Sequence, residues 1–419
     1  MPLHEQSLSL DHDALTQTLA TTENLLIIQD LDGVCMELVQ DPLTREIDPD
    51  YVRATTVFDG HFFVLTNGEH VGKRGVKKIV EQAFGDRQKV ETEGLYLPGL
   101  AGGGVQWQDR YGAIDHPGVS DAELAFLAAV PQQIEARLKQ FFEQYPDVLP
   151  PAELARGIAS SVLDNKASPT ANLNTLAAQL GDRPDICQAL QKNMAGLMDE
   201  LLAIAAAKGL DNAFFVHYAP NLGRDATGKE ILRLATAEDS GTTDFQFMLR
   251  GAIKEAGVLA LLNRYYHHRT GEYPLGADFN ARQAPHDHAE LLKLATTKFD
   301  PALMPLIIGV GDTVNSQVDP DTGEARRGGS DRNFLQLVQD LGRALGNGNL
   351  VVYIDSSQGE LQNRKQLKLE TIAGETKVLE GPGDRLDTAE PLTLNVVFPG
   401  GFREYVALFK KAAQLRQSR

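Results

Sequence analysis

Four apolar residues, Leu25-Leu26-Ile27-Ile28, run without a break and stop at Gln29-Asp30-Leu31-Asp32-Gly33. A run this short and uniform is what a strand buried on both faces needs, and Gly33 permits a turn just beyond it. The pattern recurs. Phe62-Phe63-Val64-Leu65 ends at Thr66-Asn67-Gly68, the run 304–310 ends at Gly311-Asp312, and Leu350-Val351-Val352-Tyr353-Ile354 adds another. Segments of helical spacing separate them. Residues 71–84 have mixed helical periodicity. In 331–345, Phe334, Leu337, Val338 and Leu341 fall on one face, with Ser330 placed to cap the helix. A strand over 392–398 and a helix over 402–415 close the chain. This alternation predicts an α/β fold with a mostly parallel sheet.

The middle of the chain has another character. Residues 96–114 are rich in Gly and aromatics and predict loops and hairpin strands. Residues 122–145 and 184–208 are rich in Ala, Leu and Gln with helical periodicity, joined by a Pro/Asn/Ser-rich connection around 164–174. Ala213-Phe214-Phe215-Val216-His217-Tyr218 predicts a strand, and 245–266 predicts a helix. A chain of 419 residues exceeds the roughly 250–300 that one core reaches. The expected organisation is a core over 1–115, an inserted helix-rich α/β cap over 116–245, and the rest of the core over 246–419.

The formal charge of −17 disfavours nucleic acid and anionic membranes as partners, since no basic excess exists to neutralise phosphates. No apolar stretch approaches the ~18–20 residues that span a bilayer. The N-terminus lacks the basic start and apolar run of a signal peptide, so the expected location is cytoplasmic. The two cysteines, Cys35 and Cys187, form no CxxC pair, and neither a disulfide framework nor a zinc site is expected.

Asp30 and Asp32 stand two apart at a strand end, which turns both to one side, where open parallel sheets bind ligands. One carboxylate can attack phosphorus while the other protonates the leaving oxygen and later activates water. A solvated turn is the bland alternative. Thr66 and Asn67 can hold a phosphate oxygen, although Thr-Asn-Gly is also an ordinary turn. Asp312 can share a hard cation with the first pair, or merely cap a helix. Three such pieces at three strand ends are much rarer by chance than any one. For hydroxyl recognition, Glu93, Tyr96, His217, Asn221, Arg224 and Asp244 pair polar groups with aromatic neighbours. A buried structural His217 or a surface Arg224 explains them equally well.

Gly223-Arg224-Asp225-Ala226-Thr227-Gly228-Lys229 fits the first seven places of a phosphate-binding loop. Glu230 in the eighth place removes the metal-binding hydroxyl and argues against it. Cys35 lacks the arginine of a cysteine-phosphatase loop, because Asp41 holds that position. His267-His268 and the pair His286 and His288 read as exposed residues on polar segments.

Taken together, hDxDGV, hhhTNG, a helix-opening lysine and hhhGDT resemble the four-motif signature of the haloacid-dehalogenase phosphatases. The resemblance implies a Rossmann-like core and magnesium as cofactor. It implies Asp30 as nucleophile, Asp32 as acid/base and Thr66 as the phosphate-binding hydroxyl, with Leu31 and Asn67 beside it. Lys254 would neutralise phosphoryl charge, and Asp30, Asp32 and Asp312 would hold the metal. One departure stands out. Where sugar-phosphatase branches carry GDxxND, this chain has Gly311-Asp312-Thr313-Val314-Asn315-Ser316, and Asp331 is expected to supply the missing carboxylate from beyond an inserted loop. An insert between the Thr66 and Lys254 pieces resembles the cap of the trehalose- and sucrose-phosphate phosphatase branch.

Three longer stretches, 29–38, 64–75 and 215–224, together with Asp239-Ser240-Gly241-Thr242-Thr243-Asp244, resemble the glucosylglycerol-phosphate phosphatases. This implies a small sugar-phosphate substrate, glucosylglycerol 3-phosphate, in compatible-solute synthesis under salt stress. It also implies a functional link to the synthase that makes that phosphate. A sucrose- or trehalose-phosphate phosphatase, and a non-catalytic sugar-phosphate sensor on the same fold, remain as alternatives.

Overall fold

The structure, a computed structural model, describes residues 10–418 apart from positions 40, 73, 226–228, 238–239, 362–363 and 373–374; at 223, 224, 372 and 375 it describes the backbone alone. The first part of the chain forms α1 (His12–Thr21), β1 (Leu25–Gln29), α2 (Pro49–Thr56), β2 (Phe62–Leu65), α3 (Val76–Phe84) and α4 (Arg87–Thr92). Three short strands follow, β3 (Gly99–Ala101), β4 (Gln106–Gln108) and β5 (Ile114–Asp115). The middle forms α5 (Asp121–Phe142), α6 (Pro151–Ser161), β6 (Val162–Leu163), β7 (Thr170–Asn172), α7 (Asn174–Leu180) and α8 (Pro184–Ala207). It continues with β8 (Phe214–Ala219), β9 (Asn221–Arg224), β10 (Glu230–Leu232) and β11 (Asp244–Leu249). The last part forms α9 (Lys254–Thr270), α10 (His288–Lys298), β12 (Leu306–Gly311), β13 (Asn315–Val318), β14 (Ala325–Gly328) and α11 (Arg332–Leu345). It ends with β15 (Leu350–Ile354), β16 (Lys368–Ile372), β17 (Glu375–Glu380), β18 (Val396–Phe398) and α12 (Gly401–Gln417).

The main sheet has eight strands in the order β18-β15-β12-β1-β2-β3-β4-β5. From β18 to β3 the pairing is parallel, and β4 and β5 extend it as an antiparallel edge. Strand β1 lies centrally, and its unbroken apolar run is explained by burial on both sides. Leu25 and Ile27 enter one core with Tyr51, Phe58 and Phe409. Leu26 and Ile28 enter the other with Leu259, Leu262 and Leu337. Strand β15 divides the same way, Val352 and Ile354 to the first core and Val351 and Tyr353 to the second. The α/β expectation therefore holds.

A second, antiparallel sheet has the order β6-β7-β11-β8 and a core of its own. Phe214, Tyr218, Phe245 and Phe247 pack there against Leu127, Leu138, Leu190 and Met194 of α5 and α8. Helix α5 opens with a reciprocal cap: Ser120 Oγ accepts from the Glu123 N–H, and Glu123 Oε2 accepts from the Ser120 N–H at 2.7 Å.

Two local expectations fail. Residues 245–249 are strand, not helix, because Phe245, Phe247 and Leu249 alternate with Gln246 and Met248 and pair in register with β8. The helix begins only at Lys254. Ser330 does not cap α11; Asp331 stands at that position, and its side chain turns elsewhere.

Candidate active site

Parallel pairing carries the C-terminal ends of β1, β2 and β12 to one edge, so the residues at which their apolar runs stop become neighbours. Asp30 follows β1 and is 6 % exposed. Asp312 follows β12 and is 1 % exposed. Lys254, the first residue of α9, is buried with Nζ 3.1 Å from Asp30 Oδ1 and 2.7 Å from Asp331 Oδ1. Asp331 is completely buried. Its Oδ2 accepts from the backbone N–H of Asp312 at 2.9 Å and of Thr313 at 3.0 Å. The hairpin β13–β14 makes this possible: it leaves after Val314, pairs Asn315 with Gly328, and returns the chain so that the Asp331 N–H reaches the Thr313 carbonyl. Ser316 lies in that hairpin, where its Oγ accepts from the Asp384 N–H. Asp331, 19 residues beyond Asp312 in the chain, is thus brought beside it.

Burial is the largest influence on all three acids, and it disfavours the charged form. It pushes Asp30 up to about 8; Lys254 opposes this, while Asp331, Asp312 and Asp32 add to it. It pushes Asp312 up to about 7, with Asp331 adding and Arg364 opposing. For Asp331, Lys254 and the two backbone donors outweigh burial and hold the acid below its ordinary value. Lys254, flanked by two carboxylates, is raised despite burial.

Carboxylate oxygens of Asp30, Asp312 and Asp331 lie within 4.8 Å of one another. Among the described residues, the buried Oδ2 of Asp312 has no hydrogen-bond partner. Such an all-oxygen donor set suits a hard divalent cation. Asp331 already spends both oxygens on Lys254 and backbone donors, so Asp30 and Asp312 are the acids best placed to hold a cation. The carboxylate of Asp32 is not in this group. It meets Arg45, with Oδ2 3.0 Å from Nη1. Gly33 must be glycine here: its φ is +77°, and a Cβ would stand 2.3 Å from Asp312 Oδ2.

Thr66 is 3 % exposed, and its Oγ1 accepts from the Gly68 N–H at 3.1 Å. A Cβ on Gly68 would lie 3.4 Å from Thr66 Oγ1, 3.9 Å from Asp32 Oδ2 and 4.0 Å from Arg45 Nη1. Thr66, Asp32 and Arg45 therefore surround one point, with Asn67 half-buried beside it. Leu31 is fully buried, and its carbonyl accepts from the N–H groups of Val34 and Cys35.

The candidate sugar residues separate into two groups. Glu93 and Tyr96 do not belong to the site. They precede β3, and parallel pairing puts the start of that strand at the edge opposite Asp30. Tyr96 is buried with its hydroxyl donating to Glu81 at 2.7 Å, and Glu93 lies 3.5 Å from Arg53. The others lie in the second sheet. Register places Asp244 opposite Asn172, and Gln246 opposite both His217 and Thr170, on the face turned away from Phe214, Phe245 and Phe247. His217 Nδ1 is 3.0 Å from Glu230 Oε1, and Asn221 Nδ2 donates to Glu230 Oε2 at 3.2 Å. Asn172 donates to Asp244 at 2.7 Å. Burial pushes Asp244 up to about 6, partly offset by Asn172 and by His217. The side chain of Arg224 lies outside the described residues.

The phosphate-loop reading of 223–230 finds no support. Positions 226–228 lie outside the described residues, Lys229 is paired with Asp199 at 2.6 Å, and Glu230 serves His217. Burial raises the Cys35 thiol and leaves it unsuited to nucleophilic work. His267 stacks on Tyr273, and His288 meets Asp340 at 2.9 Å.

A family model described as glucosylglycerol-phosphate phosphatase matches residues 24–413. The chain belongs to this family. A curated glucosylglycerol-phosphate phosphatase from Synechocystis sp. is 69 % identical over 417 residues, covering 100 % of this chain and 99 % of the relative. Among solved structures, trehalose-6-phosphate phosphatase from Aspergillus fumigatus matches with a TM-score of 0.40 and 10 % identity, over 97 % of this chain and 99 % of that one. The C-terminal domain of the Candida albicans trehalose-6-phosphate phosphatase matches with a TM-score of 0.45 and 11 % identity, over 97 % and 98 %.

Reading motifs along the chain missed Arg45 and Arg364. Arg45 follows a turn capped by Asp41, and nothing in that turn points back to Asp32. Arg364 Nε stands 3.8 Å from Asp312 Oδ2 and comes from a stretch without periodicity.

Proposed function

We propose that this chain hydrolyses glucosylglycerol 3-phosphate to glucosylglycerol and phosphate through a phosphorylated Asp30. The observation that carries the reading is the meeting of Asp30, Lys254, Asp312 and Asp331 at one strand edge, with Asp32 and Thr66 beside them, in a chain of this family.

In the first step an Asp30 carboxylate oxygen forms a bond to phosphorus, and the bond to the glyceryl oxygen breaks. Asp32 gives that oxygen its proton. In the second step water attacks phosphorus, Asp32 takes the water proton, and the Asp30–phosphorus bond breaks. Lys254 stays paired with Asp30 and Asp331 throughout, and Thr66 holds a phosphoryl oxygen. Magnesium, held by Asp30 and Asp312, would supply positive charge to the phosphoryl oxygens and to two acids whose charged form burial disfavours.

The proposed division is a core over 1–115 and 246–419 and a cap over 116–245, with β11 running on to Leu249 in the cap sheet. The polar face of that sheet reads the sugar while the cap excludes water. The proposed setting is the cytoplasm, in compatible-solute synthesis under salt stress, downstream of the synthase that makes the phosphate. No helix among the described residues is long and apolar enough to cross a membrane.

The test is phosphate release from glucosylglycerol 3-phosphate, sucrose 6-phosphate and trehalose 6-phosphate, with magnesium and with chelator. Turnover is expected with the first substrate and magnesium only, and Asp30→Asn should lower it by about 10⁴-fold or more. Equal turnover of a disaccharide phosphate would overturn the substrate. Undiminished turnover with chelator would overturn the metal.

A further inference from the structure

The chain continues from Thr66-Asn67-Gly68 toward the second sheet. The next residue, Glu69, is 3 % exposed, and its carboxylate is received by the second sheet's own chain. Oε2 accepts from the Lys166 N–H at 2.7 Å. Oε1 accepts from the N–H groups of Ala167 and Ser168, both at 2.7 Å, and from Ser168 Oγ at 3.0 Å. Gln106 Nε2 adds a further donor to Oε2 at 3.2 Å. Charge-assisted bonds this short hold geometry tightly. A second grip of opposite polarity lies five residues on. Arg74 Nη2 donates to the Ser160 carbonyl at 2.9 Å and Nη1 to the Val162 carbonyl at 3.1 Å, at the junction of α6 and β6.

What these grips fix matters for the site. Gly68 is held from behind, its carbonyl accepting from the Gly102 N–H at 2.7 Å, while the Gly103 N–H donates to the Thr66 carbonyl at 3.0 Å. On the other side, Ser168 is two residues from Thr170, which opens β7 and donates to the Ser168 carbonyl at 2.7 Å. Asn172, at the end of β7, donates to Asp244. One continuous run therefore leads from Thr66 through Glu69 and the loop 166–168 to the polar face that carries Asn172, Asp244 and His217.

We propose that Glu69 is a positioning residue that sets the polar face of the second sheet over the phosphate-binding loop, so that recognition of the sugar depends on it. The inference rests on the phosphatase reading above. A sugar phosphate needs both halves held in register, because a misplacement of about 1 Å costs roughly 10²-fold in rate. A small aryl phosphate needs only the core half.

Glu69→Gln tests this, because a neutral amide turns one donor toward backbone N–H groups. kcat/KM is measured for glucosylglycerol 3-phosphate and for p-nitrophenyl phosphate, and hydrogen exchange is followed at the amides of 166–168. The expected result is a loss of about 10²-fold on the sugar phosphate, carried mainly by KM. The loss on the aryl phosphate should be at least about tenfold smaller, with faster exchange at 166–168. Equal losses on both substrates, or no loss on either, would overturn the proposal. So would unchanged exchange, which decides the matter even if wild type hydrolyses neither ester and the phosphatase reading itself falls. If Glu69→Gln fails to fold, Ser168→Ala removes a single donor and should show the same split at about threefold; no split there overturns the proposal.

Discussion

The two sheets place functional groups in opposite ways. The apolar runs of the main sheet's central parallel strands fill both of its faces, and the chemistry collects at the edge where those strands end. Thr66 and Asp312 are each the first polar side chain after an apolar run, and Asp30 follows one residue later, after the buried Gln29. The second sheet buries one face against α5 and α8 and leaves Asn172, His217, Asp244 and Gln246 on the other. Its groups are set by cross-strand register. The first arrangement gathers charges and buries them; the second sets polar side chains along a sheet face. One suits bond breaking, the other suits recognition.

Substitutions can sharpen that contrast. After Asp30→Asn, the largest effect is expected at the same edge: Asp32→Asn should cost roughly 10²–10⁴-fold in kcat, on sugar and aryl phosphates alike, because activation of water against phosphorylated Asp30 serves every ester. Steady-state kinetics on both substrates checks this, and a loss confined to the sugar phosphate would break the comparison. On the face, His217→Ala should raise KM for the sugar phosphate about tenfold, the scale of one lost hydrogen bond, and leave aryl phosphate turnover nearly intact. Comparable falls on both esters would place His217 with the edge instead.

The smallest effect concerns stability. Asp244 is raised to about 6 in the folded protein against an ordinary 3.8. Its favourable contribution is therefore fully present below about pH 4 and is lost as pH rises through about 6. Asp244→Asn imitates the protonated form, so it should stabilise the protein at pH 7 and have little effect at pH 4. Because the side chain keeps some contact with solvent, the gain is on the order of 1–2 kcal/mol. Denaturant unfolding at the two pH values measures it, and equal changes at both would count against a buried carboxylate there.

Much of the edge was legible along the chain, and much of the face was not. Asp30, Thr66 and Asp312 are marked by where apolar runs stop. Lys254 is marked only by resemblance, since a lysine opening a helix is otherwise a surface residue. Glu93 and Tyr96 fall away from the site because aromatic and acidic neighbours in sequence do not specify which end of a strand they precede. From sequence the segment 245–266 reads as one helix because Phe245, Phe247 and Leu249 run directly into α9 with only a short turn between.

By itself the sequence determined which strands are buried on both sides and what stands at their ends. The apolar run and the polar residues that end it lie next to one another in the chain, so the information is local. Only the tertiary structure decided that Asp331 returns to Asp312 across a hairpin, that Arg45 meets Asp32, and that Glu69 is received by backbone N–H groups nearly a hundred residues away. Those partners are separated in sequence and chosen by geometry. A backbone N–H carries no residue identity, so the receptor for Glu69 leaves no mark in the order of the amino acids.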